Sequence, residues 1–98
     1  MKKRVELGEW SILMPSKNCR VCGYELDDYP WGEDGNSPTW DICSCCGTEF
    51  GYEDCTLPSV RKKRQDWIAH GCEWFEKKSK PINWSLEHQF ENIPDEYK

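Results

Sequence analysis

A chain of 98 residues with only 37% apolar residues has too little interior for two self-sufficient cores, so one domain spanning residues 1–98 is expected. No apolar run approaches the roughly 18 residues of a membrane span, and Met1-Lys2-Lys3-Arg4 leads into Val5-Glu6-Leu7-Gly8-Glu9, too charged for a signal-peptide core. The formal net charge of −5 is unevenly spread: Val21 to Val60 carries nine acidic residues and no Lys or Arg, a field that repels a phosphate backbone.

These features predict a cytoplasmic chain, where thiols stay reduced and paired cysteines mean metal binding in place of disulfides. In chain order, Val5, Leu7, Trp10, Ile12 and Met14 nearly alternate, as in a bent strand or arm within residues 1–18 that Pro15 ends. Two copies of one pattern follow, Cys19-Arg20-Val21-Cys22-Gly23-Tyr24-Glu25 and Cys43-Ser44-Cys45-Cys46-Gly47-Thr48-Glu49, within a metal-binding region spanning 19–57. The offset is 24 residues. Between them, residues 30–38 are dense in turn formers; Thr39-Trp40-Asp41-Ile42 and Thr48-Glu49-Phe50-Gly51-Tyr52 then alternate, which predicts a hairpin across the second knuckle. A helical region is expected over 58–98. Ser59 is placed to cap a helix running to about His70, with Val60, Arg64, Trp67 and Ile68 along one stripe and Gly71 as its stop. A short helical stretch is expected around Glu73 to Lys78. Asn83 is expected to cap a last helix carrying Leu86, Phe90 and Ile93, ended by Pro94. The expected fold class is thus small α+β: a pair of Cys-x-x-Cys-Gly knuckles with a β-hairpin, followed by two or three short helices that pack tryptophans against it.

The knuckles carry the chemistry. A borderline-soft divalent ion takes four thiolates about 2.3 Å away, and each Cys-x-x-Cys turn presents two sulfurs to one side of it. Cys19, Cys22, Cys43 and Cys46 are therefore the expected ligands of one ion, zinc first and iron second. Gly23 and Gly47 follow the pairs because a tight knuckle sends the backbone to positive φ there, which assigns Cys46 and not Cys45 as the fourth ligand. Four protein ligands leave no open position, so the site is expected to be structural and the protein not an enzyme. No nucleophile, base and orienting acid suggest themselves, and no glycine-rich phosphate loop occurs.

Cys55, His70, Cys72 and His88 have spacings that match no second knuckle, and Cys55 and Cys72 read as packing residues. Arg61-Lys62-Lys63-Arg64 is the one basic run. Its place in a first helical turn is unfavourable for cations by ~0.3–1 kcal/mol each, and Glu53 and Asp54 are close enough in sequence to offset that cost.

Cys19-x-x-Cys22-Gly23-Tyr24 and Cys43-x-x-Cys46-Gly47 resemble the two knuckles of a rubredoxin, a likeness confined to the ligands. From Cys19 to about Tyr97 the chain more closely resembles small uncharacterised bacterial cysteine-rich, CPCC-like zinc-ribbon proteins. The likeness rests on the Cys-x-x-Cys-Gly-Tyr opening, the Trp31 to Gly35 turn, the Phe50 to Asp54 stretch and Ile93-Pro94. This second resemblance implies a zinc-ribbon fold and the four ligands, and some such proteins are suspected of acting as immunity proteins beside bacterial toxins.

Three functions follow as expectations. The first is a zinc-stabilised acidic module, rich in aromatic rings near Trp31, Trp40 and Tyr52, that docks a basic protein partner such as a toxin. The second, implied by the rubredoxin likeness, is an iron electron carrier. The third, a nucleic-acid-binding zinc ribbon, rests on Arg61 to Arg64 alone and is opposed by the acidic stretch before it.

Overall fold

The structure, a computed structural model, describes residues 15–98. The strand or arm expected at residues 5–14 lies outside them. Two helices are present among the described residues, α1 (Leu57–Ala69) and α2 (Leu86–Phe90), with 3₁₀ turns at Lys77–Ser79 and Asp95–Tyr97. The rest is built from turns.

The expected hairpin is not formed, and with it the α+β, zinc-ribbon or rubredoxin-like architecture is corrected: the described residues contain no β-strand, only isolated antiparallel bridges at Asn18↔Glu25 and Ile42↔Glu49. The backbone explains why pairing stops after one bridge. Trp40 takes a left-handed conformation (φ 66°) on one side of the second knuckle and Gly51 does so on the other (φ 98°), so neither flank can stay extended. Around the first knuckle, a bend at Asp27-Asp28 ends pairing just beyond Leu26.

The two knuckles are structural copies at the sequence offset of 24. In the first, Cys19 N donates to Tyr24 O (2.9 Å), Gly23 N to Cys19 O (2.9 Å) and Leu26 N to Lys17 O (2.8 Å). In the second, Cys43 N donates to Thr48 O (2.8 Å), Gly47 N to Cys43 O (2.9 Å) and Phe50 N to Asp41 O (2.9 Å). Both glycines have positive φ, 83° and 78°.

Helix α1 begins two residues before Ser59. Thr56 caps it, its hydroxyl accepting from Ser59 N (3.2 Å), and Pro58 fits the first turn, where no intrahelical donor is required. Gly71 ends the helix as expected, with Gly71 N bonded to Ile68 O (3.0 Å) and Cys72 N to Trp67 O (3.0 Å), which satisfies carbonyls the last turn would leave open. Val60 and Trp67 point inward and Ile68 stays exposed. The stretch from Glu73 to Lys78 yields only the 3₁₀ turn, and Ser85, in place of Asn83, caps α2.

The core is a layer of cysteines covered by aromatic rings. Cys19, Val21, Cys22, Cys43, Cys45, Phe50 and Val60 are buried together with Trp67 and Trp74. Tyr24 meets Trp74 edge-on at 5.3 Å, Trp74 meets Trp84 at 5.6 Å, and Trp67 packs against Trp84 and Phe90 at 6.4 and 6.3 Å. Such pairs add about 0.5–1.5 kcal/mol each beyond simple burial. Of the tryptophans expected to pack from helices onto a hairpin, only Trp67 lies on a helix and is buried with the cysteines; Trp74 and Trp84 join it from segments outside the helices, and no hairpin receives them.

The C-terminal end of α2 closes over the first knuckle. A Cβ at Gly23 would collide with the backbone carbonyl of Gln89, whereas one at Gly47 would meet only Phe75 side-chain atoms at 3.4 Å. Both substitutions pay the left-handed penalty of ~1–3 kcal/mol, and only the first adds a clash with backbone. Gly23→Ala should therefore lower the thermal midpoint far more than Gly47→Ala; equal losses in a melting comparison would contradict this packing.

Candidate metal centre

The four predicted ligands converge. The sulfurs of Cys19, Cys22, Cys43 and Cys46 all lie within 4.8 Å of one another, and all four residues are buried. Cys19 Sγ is 3.7 Å from Cys46 Sγ, and Cys22 Sγ is 3.7 Å from Cys43 Sγ. A regular tetrahedron with an ion about 2.3 Å from each corner has edges of about 3.8 Å, so these two contacts have the length of such edges. They are far too long for disulfides, whose sulfurs sit about 2.05 Å apart. The donor set thus fits one thiophilic ion, and Cys46, not Cys45, completes it.

Burial pushes the Cys19 and Cys22 thiols well above the ordinary thiol range. Cys43 is held far below it, because the Cys19 and then the Cys22 thiol hydrogen-bond to its sulfur. Four thiolates packed this closely require a cation's charge to offset their mutual repulsion.

Other groups surround the sulfurs. Val21 N donates to Cys19 Sγ (3.4 Å), and the buried Thr48 hydroxyl lies 3.0 Å from Cys46 Sγ. Gln89 Nε2 donates both to Cys22 O (3.1 Å) and to Cys45 Sγ (3.3 Å), while its Oε1 accepts from Trp84 Nε1 (2.7 Å). Arg64 donates through Nε to Val21 O (2.6 Å) and through one terminal nitrogen to Arg20 O (3.0 Å) and Tyr97 O (2.5 Å). Sequence reasoning missed Thr48 and Gln89. Thr48 adjoins the knuckle glycine, but Gln89 is 67 residues from Cys22, and nothing local announces that contact.

Cys45 occupies the place in the second knuckle that Val21 holds in the first, 24 residues earlier, and both are fully buried. The reading of Cys45 as a bystander to the ligand set agrees with that position. Cys55 is exposed, its thiol donating to Gly51 O (3.0 Å), and Cys72 is half-buried. Among the described residues, neither joins His70 or His88 in a second cluster.

The basic run is absorbed largely within the fold. Lys62 pairs with Asp66 (2.9 Å), Lys63 with Glu53 (3.4 Å), and Arg61 Nε donates to Lys98 O (3.2 Å). Asp54, expected to offset this run, instead turns inward, where its carboxylate accepts from Trp31 Nε1 (2.9 Å) and Gly51 N (2.7 Å). Trp31 is further covered by the Arg20 guanidinium, 3.9 Å from its ring centre. Trp31 is thus half-buried and held within the fold by these contacts.

No protein-family model matches the chain. No solved structure matches it either. The chain is similar to two uncharacterised proteins of Bacillus subtilis (strain 168). It is 45% identical to YoaQ over 38 residues, covering 38% of this chain and 32% of that protein. It is 33% identical to YozI over 69 residues, covering 54% of this chain and 57% of that protein. The chain thus spans about a third and somewhat over half of the lengths of these relatives. What the geometry and the comparisons define together is a small helical and turn-built globule, distantly similar to uncharacterised Bacillus proteins, with four cysteines able to hold a metal ion.

Two outcomes separate ligand from bystander. Cys46→Ser should abolish stoichiometric binding of one ion per chain, whereas Cys45→Val should retain it and lose less than about 1.5 kcal/mol of stability, as a near-isosteric core change. Metal analysis of the purified variants checks both. Because burial holds protons on Cys19 and Cys22, an ion must displace them, so affinity should fall as pH falls. Zinc titrations at pH about 8 and about 6 that give equal affinities would contradict this linkage.

Proposed function

We propose that this chain is a non-enzymatic, zinc-stabilised module that binds a basic protein partner. The observation that carries the reading is the closed set of buried thiols at tetrahedral spacing, because four protein ligands leave no position on the ion for water or substrate. When bound, the ion cross-links the two knuckles, and in comparable peptides such sites contribute ~10–16 kcal/mol to folding. That term suits a core of few aliphatic residues.

The acidic stretch supports the choice of partner. Four thiolates around a divalent ion add two negative charges to a region, Val21 to Val60, that already lacks any Lys or Arg. Such a field steers basic surfaces inward and phosphate backbones away. The internal pairing of Arg61 to Arg64 weakens the nucleic-acid alternative further. An immunity-type role, in which this surface covers a basic toxin, is the specific form suggested by the resemblance to CPCC-like cysteine-rich proteins. Iron in the same thiolates would make the site an electron carrier, and the colour of the purified protein separates the two: red with ferric iron, colourless with zinc.

The test is a pull-down from the native host with the metal-loaded protein, its retained proteins identified by mass spectrometry. Basic proteins should be retained, then released by raised salt and by chelation of the ion. Retention of nucleic acid alone, or retention unchanged after the ion is removed, would sink the reading.

A further inference from the structure

The segment that encloses the second knuckle presents three large apolar side chains to solvent: Trp40 (59% exposed), Ile42 (47%) and Tyr52 (73%). They share one patch of chain. Ile42 is bridged to Glu49, Phe50 N donates to Asp41 O, and the Trp40 ring lies over Gly51, where an added Cβ would come within 3.0 Å of it. The Trp40 ring is therefore seated against backbone while much of its surface stays open, as an interface anchor requires.

Beside this patch lies a recess of about 200 Å³. Leu26, Pro30 and Phe50 supply its apolar walls, and Asp27, Asp28 and Asp41 stand with Thr39 around them. All three aspartates are exposed. The combination matches one kind of side chain, a long aliphatic stem that ends in a cation, since the stem gains apolar contact while the charged head keeps its carboxylates and water.

We infer that this outer face of the second knuckle is the docking site for a basic partner segment, which seats a lysine or arginine in the Asp27/Asp28/Asp41 recess and lays apolar neighbours across Trp40, Ile42 and Tyr52. The inference rests on the protein-binding reading above and adds to it a location, a residue class and the replacement of Trp31 by Ile42 in the contact surface. The apolar patch fixes the position, and the charge of the surrounding stretch fixes the chemistry of the occupant.

The experiment titrates the full, metal-loaded chain with a short flexible peptide carrying alternating lysine and leucine, followed by amide and indole NMR shifts. The same peptide with glutamate in place of lysine is the control. Shifts should concentrate on residues 26–28, 39–42 and 49–52 with the lysine peptide and be absent with the glutamate one. The triple substitution Asp27→Asn, Asp28→Asn, Asp41→Asn should weaken binding at least about tenfold, and Trp40→Ser should weaken it as well. A triple substitution of equal charge at exposed positions elsewhere, Glu87→Gln, Glu91→Gln, Glu96→Gln, should change it by less than about twofold, as expected of screened distant charges. All three variants should still bind one ion per chain.

Equal losses from the two triple variants, or shifts scattered over the surface, would overturn the site while leaving a generally acidic binding module intact. Absence of binding by the lysine peptide, together with failure to retain basic host proteins, would overturn both. Self-association that competes with the peptide and is lost with Trp40→Ser would assign the face to a second copy of the chain and likewise overturn the inference.

Discussion

Four sulfurs drawn from turns more than twenty residues apart meet at the separation that a single thiophilic ion imposes, and the rest of the molecule is arranged around that meeting. Burial favours the protonated Cys19 and Cys22 thiols, so a cation that takes these sulfurs as thiolates must displace their protons. The remaining interior is modest: a few aliphatic residues, Phe50, and tryptophans that cover the cysteine layer. Few backbone ladders are available to hold the knuckles in place, since each is closed by one bridge and a handful of turn bonds. The cluster of four cysteines thus sits where many small proteins have a sheet at the centre of the core.

The two knuckles repeat one set of backbone bonds, yet their surroundings differ in a way that divides their tasks. The first is covered: α2 closes on Gly23, Arg64 reaches its carbonyls, and Tyr24 packs into the aromatic cluster. The second is more open. At the position equivalent to Tyr24 it has Thr48, whose hydroxyl serves a sulfur, and at the position equivalent to Val21 it has Cys45, held by Gln89. Its flanks then turn outward at Trp40 and Tyr52. One copy is built into the fold and the other faces the solvent.

The four-cysteine cluster was legible in the sequence because its spacing is local: each pair needs only a four-residue turn and a following glycine. The choice of Cys46 over Cys45 followed from the same local geometry. The helix stop at Gly71 was legible for the same reason, and so was the contribution of Val60 and Trp67 to the core. The hairpin was misread because alternation in Thr39 to Ile42 and Thr48 to Tyr52 reports side-chain polarity, while Trp40 and Gly51 take backbone conformations that alternation does not reveal. The helix starts were misread by a few residues because Thr56 and Ser85 compete with equally plausible caps nearby. Long-range partners such as Gln89 with Cys22, or Asp54 with Trp31, leave no periodic trace, so a carboxylate that reads as a surface counter-charge proved to be a core group.

Arg64 stands near the middle of α1 and holds carbonyls of Arg20, Val21 and Tyr97 with one planar group. Two stretches of backbone, distant along the chain, are hostage to a single guanidinium on a third. Fraying that began in the centre of this helix would release a loop near one end and a turn near the other at the same moment. A chain tied in this manner couples α1 to the first knuckle and to the last residues, since loss of the helix removes the donor that holds both.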